Sequence, residues 1–281
     1  MQSAGDRGVT PFELKILRYK EKIRNSLLTE VKVTDQQFES VFVCENDMQA
    51  ARALSLWIKE AGTMAWLDAN LKAGDRFLDI GANVGIYSIA AAHRVGPTGK
   101  VYAAEPHKFN VCSLMTNILR NGFEDRVTVL TVPLTSERCA TQFNYSSIIP
   151  ASTGSQLGST KRDGRGGKDF VPVLTELTVG LSLDEVVDLG MIERPDLIKI
   201  DVDGIELQIL QGMKRLLLSP NRPRSVQVEL NLGEQDDVIK FLDDHGYDLD
   251  HRHFTLQGKL FLDAGKSVSE IAHNAVFVPR S

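Results

Sequence analysis

An α/β fold, a mostly parallel sheet with helices on both faces, is predicted by two observations. From residue 76 onward, strand-length apolar runs alternate with segments of helical apolar spacing, and such alternation builds parallel sheets covered on both sides. Two of the runs, Phe77 to Ile80 and Leu197 to Asp201, carry acids near their ends and lead into a glycine-bearing turn and a helix. In a doubly wound sheet that is where ligands sit, in the crevice at the carboxyl ends of the strands.

The elements follow in order. Strands are expected over 76–80, 100–104, 127–132, 197–201 and 225–230, and helices over about 85–94, 109–121, 204–218 and 235–245. Residues 10–30 and 47–71 carry helical apolar spacing, the second through Met48 to Trp57 and Met64 to Leu67 ahead of Gly74. Residues 1–71 are therefore expected as a helical leader or lid, with Glu60 and Thr63 reaching inward, and 72–281 as the main domain. In the tail, Tyr247 to Arg252 and Asn274 to Pro279 read as two strands joined by a hairpin-bearing link around Thr255 to Leu262, an antiparallel edge. Segment 151–169, rich in Gly, Ser and charge and without apolar period, reads as a mobile surface loop.

Composition narrows the function classes. With 281 residues and 42% hydrophobic content, the chain can bury an enzyme-sized core. A net charge of −5 provides no basic field for nucleic acid or anionic lipid. The apolar runs are strand-length and interrupted by charge, and Met1 to Gly8 has no apolar signal core, so neither membrane spanning nor secretion is expected. Three widely spaced cysteines, Cys44, Cys112 and Cys139, suit reduced thiols and a cytoplasmic location. Helical spacing in the leader fits either a cover for the site or a homo-oligomer contact.

The turn after the first of these strands, Asp79-Ile-Gly81-Ala-Asn83-Val-Gly85, is a nucleotide-cofactor loop. Gly81, Asn83 and Gly85 are small or tolerant of left-handed backbone, which lets main chain approach a ligand. The spacing is G-x-x-x-G after an aspartate, not the G-x-G-x-x-G of dinucleotide sites. A carboxylate at Asp79 opposes a pyrophosphate and attracts the ammonium and sulfonium of S-adenosylmethionine. Glu105, followed by Pro106 at the end of strand 100–104, lies about 20 residues on, where an acid meets a ribose diol. A nicotinamide-dependent oxidoreductase and a non-catalytic binding protein on the same sheet remain the alternatives.

The acceptor side is expected at Lys199, Asp201, Asp203-Gly204 and Glu206. Lys199 and Asp201 are two apart and project to one side. Asp201 is the first candidate for a general base toward an acceptor hydroxyl, with Glu206 and His107 behind it and Lys199 either balancing the acids or orienting a substrate oxygen. Asp203 and Glu206 also read as an N-cap and a capping-box acid. Asp201, Asp203, Glu206 and Glu229 could gather around a divalent cation, but their spacing does not establish one. His251 and His253 have no nearby third ligand of zinc type.

Taken together, Phe77 to Ser88, Ala104-Glu-Pro106, Leu114 to Asn117 with Asn121-Gly122, and Ile198 to Glu206 resemble the FkbM family of S-adenosylmethionine-dependent methyltransferases over about residues 57–279. Leu183-Asp184-Glu185 and Val228-Glu229 also sit where that pattern has them. The resemblance implies a class I (Rossmann-like) methyltransferase fold with seven strands, the last inserted antiparallel. It implies O-methylation of a hydroxyl on a sugar, glycolipid or natural product. By the same resemblance Asp79, Gly81, Asn83, Gly85 and Glu105 contact the cofactor, and Pro133-Leu-Thr135-Ser136 borders its adenine. The family usually shows glutamate at the position of Asp203, so the carboxylate here is one methylene shorter.

Overall fold

The structure, a computed structural model, describes residues 15–16, 19–20, 23, 28–35, 38–159 and 169–280. The helix expected over 10–30 lies mostly outside the described residues, as does 160–168 of the expected loop.

Seven strands form the central sheet: β3 (Arg76–Ile80), β4 (Lys100–Ala104), β5 (Val127–Leu130), β9 (Leu197–Ile200), β10 (Ser225–Leu230), β11 (Tyr247–His253) and β12 (His273–Pro279), in the order β11-β12-β10-β9-β3-β4-β5. Pairing from β5 through β10 is parallel, and β12 is inserted antiparallel between β10 and β11. Parallel strands covered on both faces must be apolar on both sides, and every residue of β9 is buried. Side chains alternate between the two covers. Phe77, Val101, Ala103 and Leu197 enter the core beneath helices Ile86–Val95 and Ala61–Asn70, while Leu78, Ile80, Ile198, Ile200, Val226 and Val228 enter the core beneath helices Glu206–Gln211 and Gln235–Asp244. Trp66, 2% exposed, packs in the first core and donates from its indole to Ser225 Oγ at 2.9 Å, fixing helix Ala61–Asn70 to β10. Burying a side chain of this size stabilises by about 1.5–3 kcal/mol.

The leader is not wholly helical. Two strands, β1 (Thr29–Asp35) and β2 (Phe38–Cys44), pair antiparallel, and their alternating burial follows period two. Helix Lys108–Arg120 takes the place of a further strand beside β2: Asn117 Oδ1 accepts from Val43 N and Asn121 Oδ1 from Val41 N, each at 2.9 Å. Asn117 Nδ2 also donates to Val84 O at 2.8 Å, so one side chain links the strand pair to the turn after β3.

Three further differences have local causes. The expected helix 204–218 is two helices, Glu206–Gln211 and Lys214–Leu217. At the break, Gly212 O accepts from Asp184 N at 2.9 Å, and the Asp184 carboxylate caps the second helix through Arg215 N and Leu216 N. The link around 255–262 is helix Leu256–Asp263, capped by Thr255 Oγ1 accepting from Gly258 N. A second sheet, β7-β6-β8, is formed by Gln156–Leu157, Cys139–Tyr145 and Leu174–Gly180, whose mixed polar composition hides the strand pattern.

Candidate active site

The cleft lies at the carboxyl ends of β3, β4 and β9. Its floor is the turn after β3, where Gly81, Asn83 and Gly85 have φ of 84°, 52° and 89°. Three left-handed residues in five are a backbone cost that only a close approach justifies. A Cβ on Gly81 would lie 1.9 Å from Asp201 O, so the turn and the end of β9 meet backbone to backbone.

Glu105 ties the turn to β4. Its Oε2 accepts from Asn83 N at 2.7 Å and its Oε1 from His107 N at 2.8 Å. Burial pushes its carboxyl up to about 7, although the amides of His107 and Asn83 and the Asn110 side chain favour the charged form. Pro106 and the stretch Val132-Pro133-Leu134 complete this end.

At the other end the parallel register sets Asp79 beside Lys199. Lys199 Nζ stands 3.1 Å from Asp201 Oδ2 and 3.7 Å from Asp79 Oδ1, and 4.9 Å from the Tyr87 ring centroid. Burial disfavours the ammonium, yet Asp201, Asp79 and Glu60 outweigh it and hold Lys199 above its ordinary pKa. Burial raises the Asp79 carboxyl against the pull of Lys199 and of Ser88, whose Oγ donates at 2.7 Å. Tyr87 is raised well above its usual value, first by burial and then by the Glu60 charge.

A strap closes one side. Ser152 O accepts from Asn83 Nδ2 at 3.1 Å and Asn110 Nδ2 at 3.4 Å. Gly154 N donates to Asp203 Oδ2 at 3.0 Å, and Gln156 Nε2 to Asp203 O at 2.9 Å. The first part of the expected surface loop is thus a packed wall, with Ala151, Ser152 and Gln156 buried. The aspartate at position 203, itself at φ 60°, directs one carboxylate oxygen at this strap.

Of the residues singled out in the sequence, Gly81, Asn83, Glu105, Pro106, His107, Lys199 and Asp201 line the cleft together. Asp79 does not: it is fully buried behind the wall and acts on the cleft through Lys199. Glu206 is also withdrawn. Its carboxylate accepts from Val202 N, Gly204 N and Asn231 Nδ2, clamping the acid-bearing turn, with burial pushing it up to about 7. His107 caps helix Lys108–Arg120, its Nδ1 accepting from Asn110 N and its Nε2 facing Ser147 O, and burial lowers its pKa. Gly85 packs against Leu114, Thr135 donates to Glu137 O, and Ser136 is exposed away from the cleft. Thr63 faces Gln227, whereas Glu60 does reach the cleft. Sequence reasoning missed Arg52, Tyr87, Asn110 and Phe143 as lining residues: Arg52 and Phe143 lie outside every motif, and Tyr87 and Asn110 lie in or beside motifs whose other residues carried the argument.

The sheet order, the left-handed turn at the end of its central strand and the acid at the end of the next define a class I S-adenosylmethionine-dependent methyltransferase. The donor set fits that cofactor: bare turn backbone where Gly81 leaves no room for a Cβ, and a carboxylate at Glu105 for ribose hydroxyls. The chain belongs to the FkbM methyltransferase domain family, whose model matches residues 79–249. This decides the cofactor for the sulfonium over the nicotinamide. Among relatives, the hexuronic acid methyltransferase AglP of Haloferax volcanii is 26% identical, over 78% of this chain and 81% of its own. The methyltransferase sdnD of Sordaria araneosa is 27% identical, over 64% and 76%. A precorrin-6y C5,15-methyltransferase structure from Geobacter metallireducens aligns at 15% identity, covering 79% and 87%, with TM-score 0.45. An S-adenosylmethionine-dependent O-methyltransferase structure from Thermotoga maritima aligns at 12%, covering 89% and 78%, with TM-score 0.43. No helix among the described residues is long and apolar enough to cross a membrane.

Proposed function

We propose that the chain methylates a carbohydrate hydroxyl, with Asp201 as general base. The observation that carries this reading is the placement of Asp201 in the same cleft as Glu105 and Asn83, with its Oδ2 held at 3.1 Å by Lys199. The bound cofactor supplies a methyl group on a sulfonium. Asp201 then takes the proton from the acceptor oxygen, worth about 10²–10⁴-fold in rate. Lys199, anchored on Asp79, orients that carboxylate, and the strap with Phe143 narrows access for water. Holding the acceptor oxygen in line supplies much of the rest. A carbohydrate acceptor is supported by the AglP relative, whose name specifies a hexuronic acid.

The test is transfer of labelled methyl from S-adenosylmethionine to a panel of sugar and uronide hydroxyls, with the product bond identified by NMR. Transfer to oxygen is expected; transfer only to nitrogen or carbon would overturn the reading. Activity is expected to survive EDTA, since Asp201 needs no metal for this role. Loss in EDTA with rescue by magnesium would replace the base with a metal-bound route.

Glu105 gives this reading a pH signature. Ligand hydroxyls donate to its ionised form, so binding favours deprotonation of a group whose free value is about 7. Affinity for S-adenosylhomocysteine should therefore rise about tenfold from pH 6 to pH 8, one decade being the change in ionised fraction across that value. In Glu105→Gln the dependence should vanish along with much of the affinity. A pH-independent parent would remove Glu105 from the ribose contact.

A further inference from the structure

The cleft holds one arginine whose charge no acid among the described residues balances. Three lysine or arginine side chains line it: Arg52, Lys59 and Lys199. Lys59 pairs with Glu60 at 3.3 Å and Lys199 with Asp201 and Asp79. Arg52 forms no ion pair with any Asp or Glu among the described residues, although Glu60, Glu105, Asp201 and Asp203 all line the same cleft. Its contact is neutral, Nε donating to Ala151 O at 3.0 Å.

That contact is built at a cost. Ala151 is 1% exposed and has φ of 71°, a left-handed conformation that strains an alanine. Asn110 Oδ1 holds its amide at 2.9 Å, and Asn46 Nδ2 holds the preceding carbonyl at 3.1 Å. The strained residue therefore aims its carbonyl at Arg52, fixing the guanidinium by one edge. A half-buried guanidinium anchored through Nε presents its remaining N–H groups as a fork, the geometry that reads a carboxylate.

We propose that Arg52 receives a ligand carboxylate in this cleft. The proposal rests on the methyltransferase reading of the site, and two ligands bring the group: the cofactor through its α-carboxylate, and an acidic sugar acceptor through its uronate. The charge pattern favours a carboxylate over a phosphate, because four acids line the same space and a doubly charged anion meets more repulsion there.

The experiment compares full-length parent, Arg52→Gln and Arg52→Lys by calorimetry. Probes are S-adenosylhomocysteine, 5′-methylthioadenosine, which lacks the amino-acid portion, and methyl glucuronide against methyl glucoside added to the S-adenosylhomocysteine complex. Arg52→Gln weakening S-adenosylhomocysteine about 10- to 100-fold, with methylthioadenosine unchanged and Arg52→Lys intermediate, assigns Arg52 to the cofactor carboxylate. Unchanged nucleoside binding with selective loss of the glucuronide assigns it to the acceptor. No change for any probe, or parallel weakening of both nucleosides, overturns the proposal; the parallel loss marks a residue that only holds the strap. A parent that binds neither nucleoside sinks the cofactor site itself, a failure distinct from that of Arg52.

Discussion

Asp201→Asn should lower turnover by about 10²–10⁴-fold, the range of a lost general base, while affinity for S-adenosylhomocysteine stays within a few-fold of the parent. The amide keeps the shape and an acceptor oxygen for Lys199 Nζ, now 3.1 Å from the carboxylate, but cannot take up a proton. Lys199 stays compensated by the buried Asp79 3.7 Å away, so collapse of the wall is not expected. Single-turnover rates with whichever hydroxyl the acceptor panel returns, beside calorimetry on the same preparations, separate chemistry from binding. A fully active variant would show that positioning alone carries the reaction and that Asp201 is not the base.

Gly81→Ala should abolish cofactor binding and lower the melting temperature by roughly 10 °C, from a destabilisation of about 3 kcal/mol or more at 2–4 °C per kcal/mol. Two costs combine. An alanine at φ 84° loses about 1 kcal/mol relative to glycine, and its Cβ would lie 1.9 Å from Asp201 O. Neither side can yield easily, since Gly81 N and Ala82 N are held by Ala104 O and Asp201 N by Ile80 O. Gly122→Ala is the matched control: φ is 68° just past the end of helix Lys108–Arg120, but nothing lies within 4 Å of the added carbon, so only the conformational part, about 1 kcal/mol and about 3 °C, should appear. Equal melting shifts in the two variants would mean that the turn and the end of β9 do not meet as closely as described.

The parallel sheet was legible because its strands are buried on both faces and therefore apolar throughout, as in Leu197–Ile200. Strands with one wet face were not. Thr29–Asp35 alternates Val31 and Val33 with Glu30 and Lys32, and Cys139–Tyr145 mixes Ala140 and Phe143 with Thr141 and Gln142. Such short alternations carry less signal than a continuous apolar run. In the site, the sequence placed Glu105, Asn83, Lys199 and Asp201 at one cleft because strand ends converge there. It did not distinguish an acid that faces ligand from one that serves the protein. Asp79 and Glu206 differ from Asp201 in what they hydrogen-bond, Ser88 and the 202–204 amides; the second set is the local capping that the sequence offered as one of two readings, without deciding between them. Arg52 lay outside every motif; its role depends on a carbonyl 99 residues away in the chain.

The contact between Gly81 and Asp201 also orders events in time. β3 pairs with β4, which follows it closely, but its other neighbour is β9, separated from it by more than a hundred residues of chain. Closing so long a loop is entropically costly and slow compared with local pairing. During synthesis the turn after β3 emerges early and waits, without its far wall, until β9 and the acid turn leave the ribosome. Nucleoside capture thereby reports that synthesis has passed β9, and a product terminated before that strand would hold the signature loop yet have nothing to close it.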